Sequence, residues 1–422
     1  MKRLKKFWNS LGPGLIVGAA DDDPSGIAIY ALAGAKFGLS ILWTVLGTLP
    51  FMIIIQRMAG RIGLISSKGL AANLKRNYPA WILATITTLI SLANIINIGA
   101  DISAMAAAVK LLVPLPAIIS AVVLSLIVIV LIIILPYRVI AKYLKWVAIT
   151  MFSYILAAFL VSQPWRDILF HTFIPQIQLN KEYLAIIVAI YGTTISPYLF
   201  FWQASEAVEE KRQVEGMIPD IQPHRKARSA GFIKNEIGTM YTDIRVGMIF
   251  SNTITFFIMI LAAATLFPKG FNEFSTIEEM ATILQPLAGS FTNVLFLIGI
   301  LASGILAIPV LAGSAAYAIA ETVGWREGLD RDFRRAPQFY TVMVIATLLG
   351  IAIPAFGLHP VNILYITGLI FGVLSPFAIL LVIHMANNPK IMGKYTSRHF
   401  SNVIAYCLFI IMTCSIAAMF LF

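Results

Sequence analysis

The chain has 422 residues, 59% of them hydrophobic and only 12% charged, with a formal net charge of +11. Its mean hydropathy is +0.86. Soluble globular proteins carry about 25% charged residues, so this composition excludes an ordinary soluble fold and predicts a polytopic membrane protein with helix packed on helix in lipid.

In chain order the apolar runs predict eleven spans, at 11–35, 39–58, 81–107, 115–135, 144–163, 183–205, 246–267, 289–319, 338–356, 361–384 and 401–421. The leading "MKRLKKFWNS" is basic, but no small-residue cleavage site closes the run behind it, so that run is expected to stay as the first span. With the N-terminus in the cytoplasm, 26 of the 31 Lys and Arg fall in cytoplasmic segments and 5 on the other side. That asymmetry follows the positive-inside rule. It predicts a multi-pass protein of the inner or plasma membrane, N-terminus cytoplasmic and C-terminus opposite. Topology and lipid headgroups account for the basic charge, so no nucleic-acid partner is expected, and no obligatory protein partner is signalled. Segment 205–245 reads as a cytoplasmic connector, too short for a nucleotide-binding domain.

Several function classes fall away. Cys407 and Cys414, seven apart on the last span, read as packing residues. The five His form no cluster of metal-ligand spacing, and no phosphate-binding G-x-x-x-x-G-K-[ST] loop is present. No nucleophile constellation lies in the spans. The expectation is a transporter rather than an enzyme, with no cofactor beyond a transported ion.

The first span contains "GAADDDPSGIA", Gly18 to Ala28. Pro24 lacks an N–H and Gly26 is a poor helix former, so helical hydrogen bonding should stop there. Irregular backbone at membrane depth needs protein or a water-filled cavity around it. Carboxylates at that depth are costly and read as functional. Asp21, Asp22 and Asp23 cannot all be ionised together in a low-dielectric site, so at least one should be protonated or solvated.

Five spans later "YGTTISPYLFFWQ", Tyr191 to Gln203, is interrupted at Ser196-Pro197. Matched breaks in spans one and six point to an inverted-repeat secondary transporter with its site at the midplane. The repeats would cover about 10–165 and 182–385 of a single transmembrane domain, 1–422, with 401–421 as an extra helix.

At these motifs the chain resembles the natural resistance-associated macrophage protein (NRAMP) family of divalent-metal transporters. "GPGLIVGAADDDPSG" looks like that family's first span and "QRMAGRIGLISSKGLA", Gln56 to Ala71, like its loop after span two. "YRVIAKYLKW" resembles the entry to span five, and "SPFAILLVIHMANNPKIMGKY" the end of span ten. The resemblance implies an all-α, leucine-transporter-type 5+5 fold with helices one and six broken. It places the family's metal-binding Asp on Asp23 and a ligating backbone carbonyl on Ala20. The family's Asn falls on Gly26, its Met-Pro-His on Ser196-Pro197-Tyr198, and its span-ten Gln on Gly368. Its proton-handling acid falls on Asp101, and the Asp three residues earlier on Ile98. The chain is thus similar to a divergent bacterial-type member lacking the family's Met and Asn ligands.

Losing Met for Ser196 leaves oxygen donors: Asp23, carbonyls near Ala20 and Thr193, and the Ser25 and Ser196 hydroxyls. Such a set suits a hard, partly hydrated cation, Mg²⁺ or Mn²⁺, over soft metals. The expected function is therefore proton-coupled transport of a divalent cation, Asp23 binding and Asp101 carrying the proton. A proton- or sodium-coupled symporter of a small organic solute stays open, because glycine at 26 and 368 should enlarge the cavity. Asp21, Asp22 and Tyr198 are candidates for a vestibule or gate. Asn94 and Asn97 lie near Asp101, as interhelical hydrogen bonds or as a solute path. Glu206 is expected in cytoplasmic water, Asp243 and Arg245 as a solvated or gating pair, and Pro309 as a plain kink.

Overall fold

The computed structural model describes residues 17–18, 20–134, 150–216, 230–270 and 276–422, and among these all regular structure is helical. The principal helices are α1 (Pro24–Phe37), α2 (Trp43–Ser66), α3 (Leu70–Asn77), α4 (Ala80–Lys110), α5 (Ala117–Ile134), α6 (Thr150–Leu160) and α7 (Trp165–Phe173). They continue with α8 (Lys181–Thr194), α9 (Pro197–Gly216), α10 (Ala230–Thr265), α11 (Thr292–Val323), α12 (Pro337–Gly350), α13 (Pro360–Asn387) and α14 (His399–Leu421). Nine helical stretches among the described residues are long and apolar enough to cross a membrane, and α6 is a shorter apolar helix. The predicted first span is interrupted, and its residues 11–16 lie outside the described residues. So do the entry to span five at 144–149, the "YRVIAKYLKW" motif, and 217–229 of the connector.

Both expected interruptions are present. Gly18 and Ala20–Asp21 are helical, Asp22 and Asp23 are not, and α1 starts at Pro24. α8 ends at Thr194, Ile195 and Ser196 are irregular, and α9 starts at Pro197. Each break is capped from within. Asp23 is the N-cap of α1, its side chain accepting the Gly26 N–H, and proline occupies the first turn, where its missing N–H costs nothing. The Ser196 hydroxyl lies 2.7 Å from both the Gly192 and Thr193 carbonyls, groups a helix C-terminus otherwise leaves without partners.

α1 and α8 face each other and share α13 as a neighbour, while α10 covers α1, α11 lies along α4, and α9 packs on α2. Small residues permit this closeness. A Cβ on Gly192 would lie 2.1 Å from the Gly368 carbonyl oxygen and 2.3 Å from the Gly372 nitrogen of α13. α11 runs unbroken through Pro309, as expected of a kink. α14 packs on the outside, against α8 and α13. Cys407 and Cys414 are exposed there, so they face away from the protein core and are not packing residues. α9 and α10 extend as helix into both ends of the predicted connector.

Candidate functional site

Asp23 lies in the first break and is buried. Its Oδ1 accepts from the Ser25 hydroxyl at 2.6 Å and the Gly26 N–H at 2.7 Å. Its Oδ2 accepts from Asn97 Nδ2 of α4 at 2.8 Å. Asn97 is therefore a partner of the broken span, one turn from Asp101 on the same helix.

The three adjacent carboxylates diverge. Asp21 and Asp22 turn toward α10, where one Ser251 hydroxyl lies 2.8 Å from Asp21 Oδ2 and 3.3 Å from Asp22 Oδ1. Asp21 Oδ1 and Asp22 Oδ2 are buried without a partner. Both side chains are fully buried, so neither lines an open vestibule in this conformation. Sequence reasoning overlooks Ser251; the only hint is the polar triplet Ser251-Asn252-Thr253 inside an apolar run.

The second break supplies oxygens from the facing side. The Tyr198 hydroxyl donates to the Ala20 carbonyl at 3.2 Å, and Tyr30 Oη meets Thr194 Oγ1 at 3.1 Å. The carbonyls of Ala20 and Thr193 thus each accept one hydroxyl and keep a second lone pair for another ligand. The Ile195 carbonyl accepts from Ser375 of α13 at 2.9 Å. The Tyr198 bond to Ala20 and the Tyr30 contact with Thr194 tie the first break, which holds Asp23, to the second, which holds Thr193 and Ser196.

Asp101 is fully buried and neither of its oxygens has a partner. It is close enough to Asp23 for their charges to interact. Asn94 donates to the Leu311 carbonyl of α11 at 3.0 Å and so serves as an interhelical bond. Gly26 and Gly368 do not widen the cavity as expected. A Cβ on Gly26 would meet the Asp21 carbonyl at 2.9 Å, and one on Gly368 would meet Ile29 Cδ1 at 2.3 Å. Neighbouring groups fill the volume that larger side chains would take.

A second buried polar group ties α9 to α11 and to the loops beyond. Tyr317 donates to Glu209 Oε1, which also accepts the Leu329 N–H at 2.8 Å, while Oε2 accepts the Asp330 N–H at 2.9 Å. Glu321 accepts from Ser205 at 2.9 Å and from the Ala72 N–H of α3 at 2.9 Å. Glu206 is only 4% exposed. The expectation that it reaches water is wrong, because α9 continues past it between neighbouring elements. Asp243 is buried and Arg245 exposed, so the two are not a solvated pair. Glu327, in the loop after α11, lies 3.8 Å from Arg212; burial pushes its carboxyl up against the pull of Arg212 and Arg331.

The donors at the junction are one carboxylate, main-chain carbonyls and hydroxyls. Among the described residues no group of three or more His, Cys, Asp or Glu is placed to hold a metal ion. An ion there would be held by mixed oxygen donors, the chemistry of hard cations.

A family model described as natural resistance-associated macrophage protein-like (Nramp) matches residues 14–422. The chain belongs to the Nramp family. That family consists of transporters, not enzymes. The Nramp chain is 25% identical over 398 residues to the divalent metal cation transporter MntH of Caldanaerobacter subterraneus subsp. tengcongensis, covering 93% of this chain and 88% of that one. It is 24% identical over 416 residues to the divalent metal cation transporter MntH of Clostridium acetobutylicum, covering 96% and 89%. Its structure is similar to that of the Eremococcus coleocola manganese transporter in complex with an aromatic bis-isothiourea substituted compound. The TM-score is 0.78 at 17% identity, covering 97% of this chain and 86% of that one. At that identity the likeness shows the fold alone: an all-α, leucine-transporter-type membrane protein with helices one and six broken.

Proposed function

We propose that this Nramp chain is a secondary active transporter carrying a divalent metal cation by alternating access around the junction of the two broken spans. The observation that carries the reading is Asp23: a buried carboxylate capping one half-helix, beside the carbonyl-rich C-terminal end of another. Half-helix C-termini carry partial negative charge and complete a cation site at membrane depth. The relatives' names supply the substrate class. Asp23 is the charged ligand, the carbonyls of Ala20 and Thr193 and the hydroxyl of Ser196 are neutral ones, and Gly26 gives its N–H to Asp23 rather than a ligand to the ion. The all-oxygen set supports a hard cation, with weak discrimination between Mn²⁺ and Mg²⁺.

Asp101 is the proton carrier in this reading. It is buried, has no hydrogen-bond partner and lies beside Asp23. Two carboxylates in one dry site are not both ionised, so the arrival of a cation at Asp23 and a proton at Asp101 are linked. Asp21, Asp22 and Tyr198 are the gating groups, released when the Ser251 and Ala20 contacts open. The two repeats, about 10–165 and 182–385, move against each other, with 401–421 as an outer addition. The distribution of Lys and Arg supports a cytoplasmic N-terminus in an inner or plasma membrane and an opposite C-terminus.

The experiment is reconstitution in proteoliposomes with a pH dye inside. Uptake of Mn²⁺, Mg²⁺, Ca²⁺ and Cd²⁺ is measured with and without a proton gradient. Saturable Mn²⁺ and Mg²⁺ uptake with internal acidification is expected. No uptake of any divalent cation, or a strong preference for Cd²⁺ over Mg²⁺, would overturn the oxygen-site reading; uptake without acidification would remove the role of Asp101.

A further inference from the structure

Arg57 and Arg61 stand one turn apart at the end of α2, and both reach Tyr241 of α10. Arg57 Nη2 donates to the Tyr241 carbonyl at 3.2 Å, and its guanidinium lies 4.7 Å from the Tyr241 ring centroid. Arg61 Nη1 donates to Tyr241 Oη at 3.4 Å and Nη2 donates to Ser397 Oγ at 2.5 Å. Arg245, one turn along α10 from Tyr241, is exposed and close enough to Arg57 for their charges to repel. All the hydrogen-bond partners are neutral. Among the described residues none of the three arginines is paired with a carboxylate. The Nε–H groups of Arg57 and Arg61 are buried with no acceptor.

Half-buried cations without a counter-charge are costly, and guanidinium forks gathered around Tyr241, with Arg245 one turn away, match the oxygens of a phosphate. The surroundings select its source. Arg245 lies on a face of α10 that continues one turn into the span as Ile249, 45% exposed. Beside it Phe152 of α6, 46% exposed, stacks at a tilt on Phe250 with ring centroids 5.8 Å apart. An apolar strip therefore leads from Arg245 along the exposed outer surface of a candidate spanning helix. A free phosphate has no use for that strip; a phospholipid fills both parts. Basic clefts between spanning helices at headgroup depth are sites for anionic lipid.

We propose that Arg57, Arg61 and Arg245 hold the phosphate of an anionic phospholipid, with its acyl chain along Ile249 and Phe152. This site is separate from the transport junction and does not depend on the cargo. The test is native mass spectrometry of the full-length protein with phosphatidylglycerol, phosphatidylcholine or inorganic phosphate added. One phosphatidylglycerol should be retained in preference to phosphatidylcholine. Arg57→Gln and the exposed Arg245→Gln should each weaken that retention about fivefold. Arg57→Lys should weaken it less, and Arg166→Gln, elsewhere on the surface, should leave it unchanged. The proposal is overturned if the two lipids are retained equally, if Arg57→Gln and Arg245→Gln keep the wild-type preference, or if inorganic phosphate displaces phosphatidylglycerol at equal concentration.

Discussion

Asp23→Asn separates the chemistry of the site from its architecture. In the native protein Asp23 accepts three hydrogen bonds, from Ser25, Gly26 and Asn97. Asp23→Ala removes all three: the lost N-cap costs about 1 kcal/mol, and each buried donor left unpaired costs about 1–3 kcal/mol. Counting the cap for Gly26 and the unpaired donors of Ser25 and Asn97, a total of about 3–7 kcal/mol would confound any loss of transport with loss of folding. Asparagine keeps Oδ1 for Ser25 and the Gly26 N–H. Its new amide N–H faces Asn97, whose own Oδ1 is buried without a partner. Asn97 needs only to turn its amide over to accept it, so Asp23→Asn should cost under about 1 kcal/mol. The charge is lost nonetheless. One unit-charge pair at 4 Å is worth about 4 kcal/mol at an effective dielectric of 20, and a divalent ion feels twice that. Cation affinity should fall by more than about 100-fold. The assays are thermal unfolding in detergent, calorimetric titration with Mn²⁺, and proteoliposome uptake. Near-native unfolding with abolished binding and uptake is expected. Near-native uptake in Asp23→Asn would refute the role given to the carboxylate.

Other perturbations test neighbouring parts. Asp101→Asn should leave Mn²⁺ binding intact but stop internal acidification of proteoliposomes; unchanged acidification makes Asp101 structural. Ser196→Met should raise the Cd²⁺-to-Mg²⁺ uptake ratio in a competition assay, with some loss of stability because the Gly192 and Thr193 carbonyls lose their cap. Gly192→Ala should lower the unfolding temperature, because its Cβ would strike α13 backbone within 2.3 Å, whereas Gly216→Ala, with nothing within 4 Å, should not. Glu209→Ala should release the loop at 328–330, seen as faster hydrogen exchange at Leu329 and Asp330; unaltered exchange there would show that Glu209 does not hold it.

The breaks are legible in sequence because proline and glycine act locally. Pro24 and Pro197 remove N–H groups whatever surrounds them, and polar residues in apolar runs mark where backbone needs cover. The directions of the three carboxylates are not legible. Asp21 ends one helical segment and Asp23 caps the next, so successive side chains leave at unrelated angles, and a shift of one residue would exchange their neighbours. The filling of the space at Gly26 and Gly368 is hidden for a related reason. A glycine announces missing volume, but whether a cavity or a neighbour takes it depends on Ile29 and the Asp21 carbonyl. Glu206 looks solvated because hydropathy counts composition along the chain, and nothing local marks Glu209 as buried. Tyr317 and the Leu329 N–H lie more than a hundred residues beyond Glu209, and only the tertiary fold brings them to it.

Two kinds of hydrogen bond meet at the junction, and they bear on movement differently. Asp23 with Gly26, and Ser196 with Gly192 and Thr193, are bonds within one segment. Being internal to a segment, they can move with it without being broken. Asn97 to Asp23, Tyr198 to Ala20 and Tyr30 to Thr194 run between segments. In the proposed transport cycle a cation binding Asp23 Oδ2 and the second lone pair of the Ala20 carbonyl draws electron density from the bonds that Asn97 and Tyr198 make to those oxygens. Cargo that weakens them loosens the ties between the first span, α4 and α9 while supplying its own. An ion can shift a conformational equilibrium only by such a difference in contacts between states. Asp101 stands one turn from Asn97 on α4, so the segment whose bond to Asp23 is weakened is the one carrying the proposed proton site.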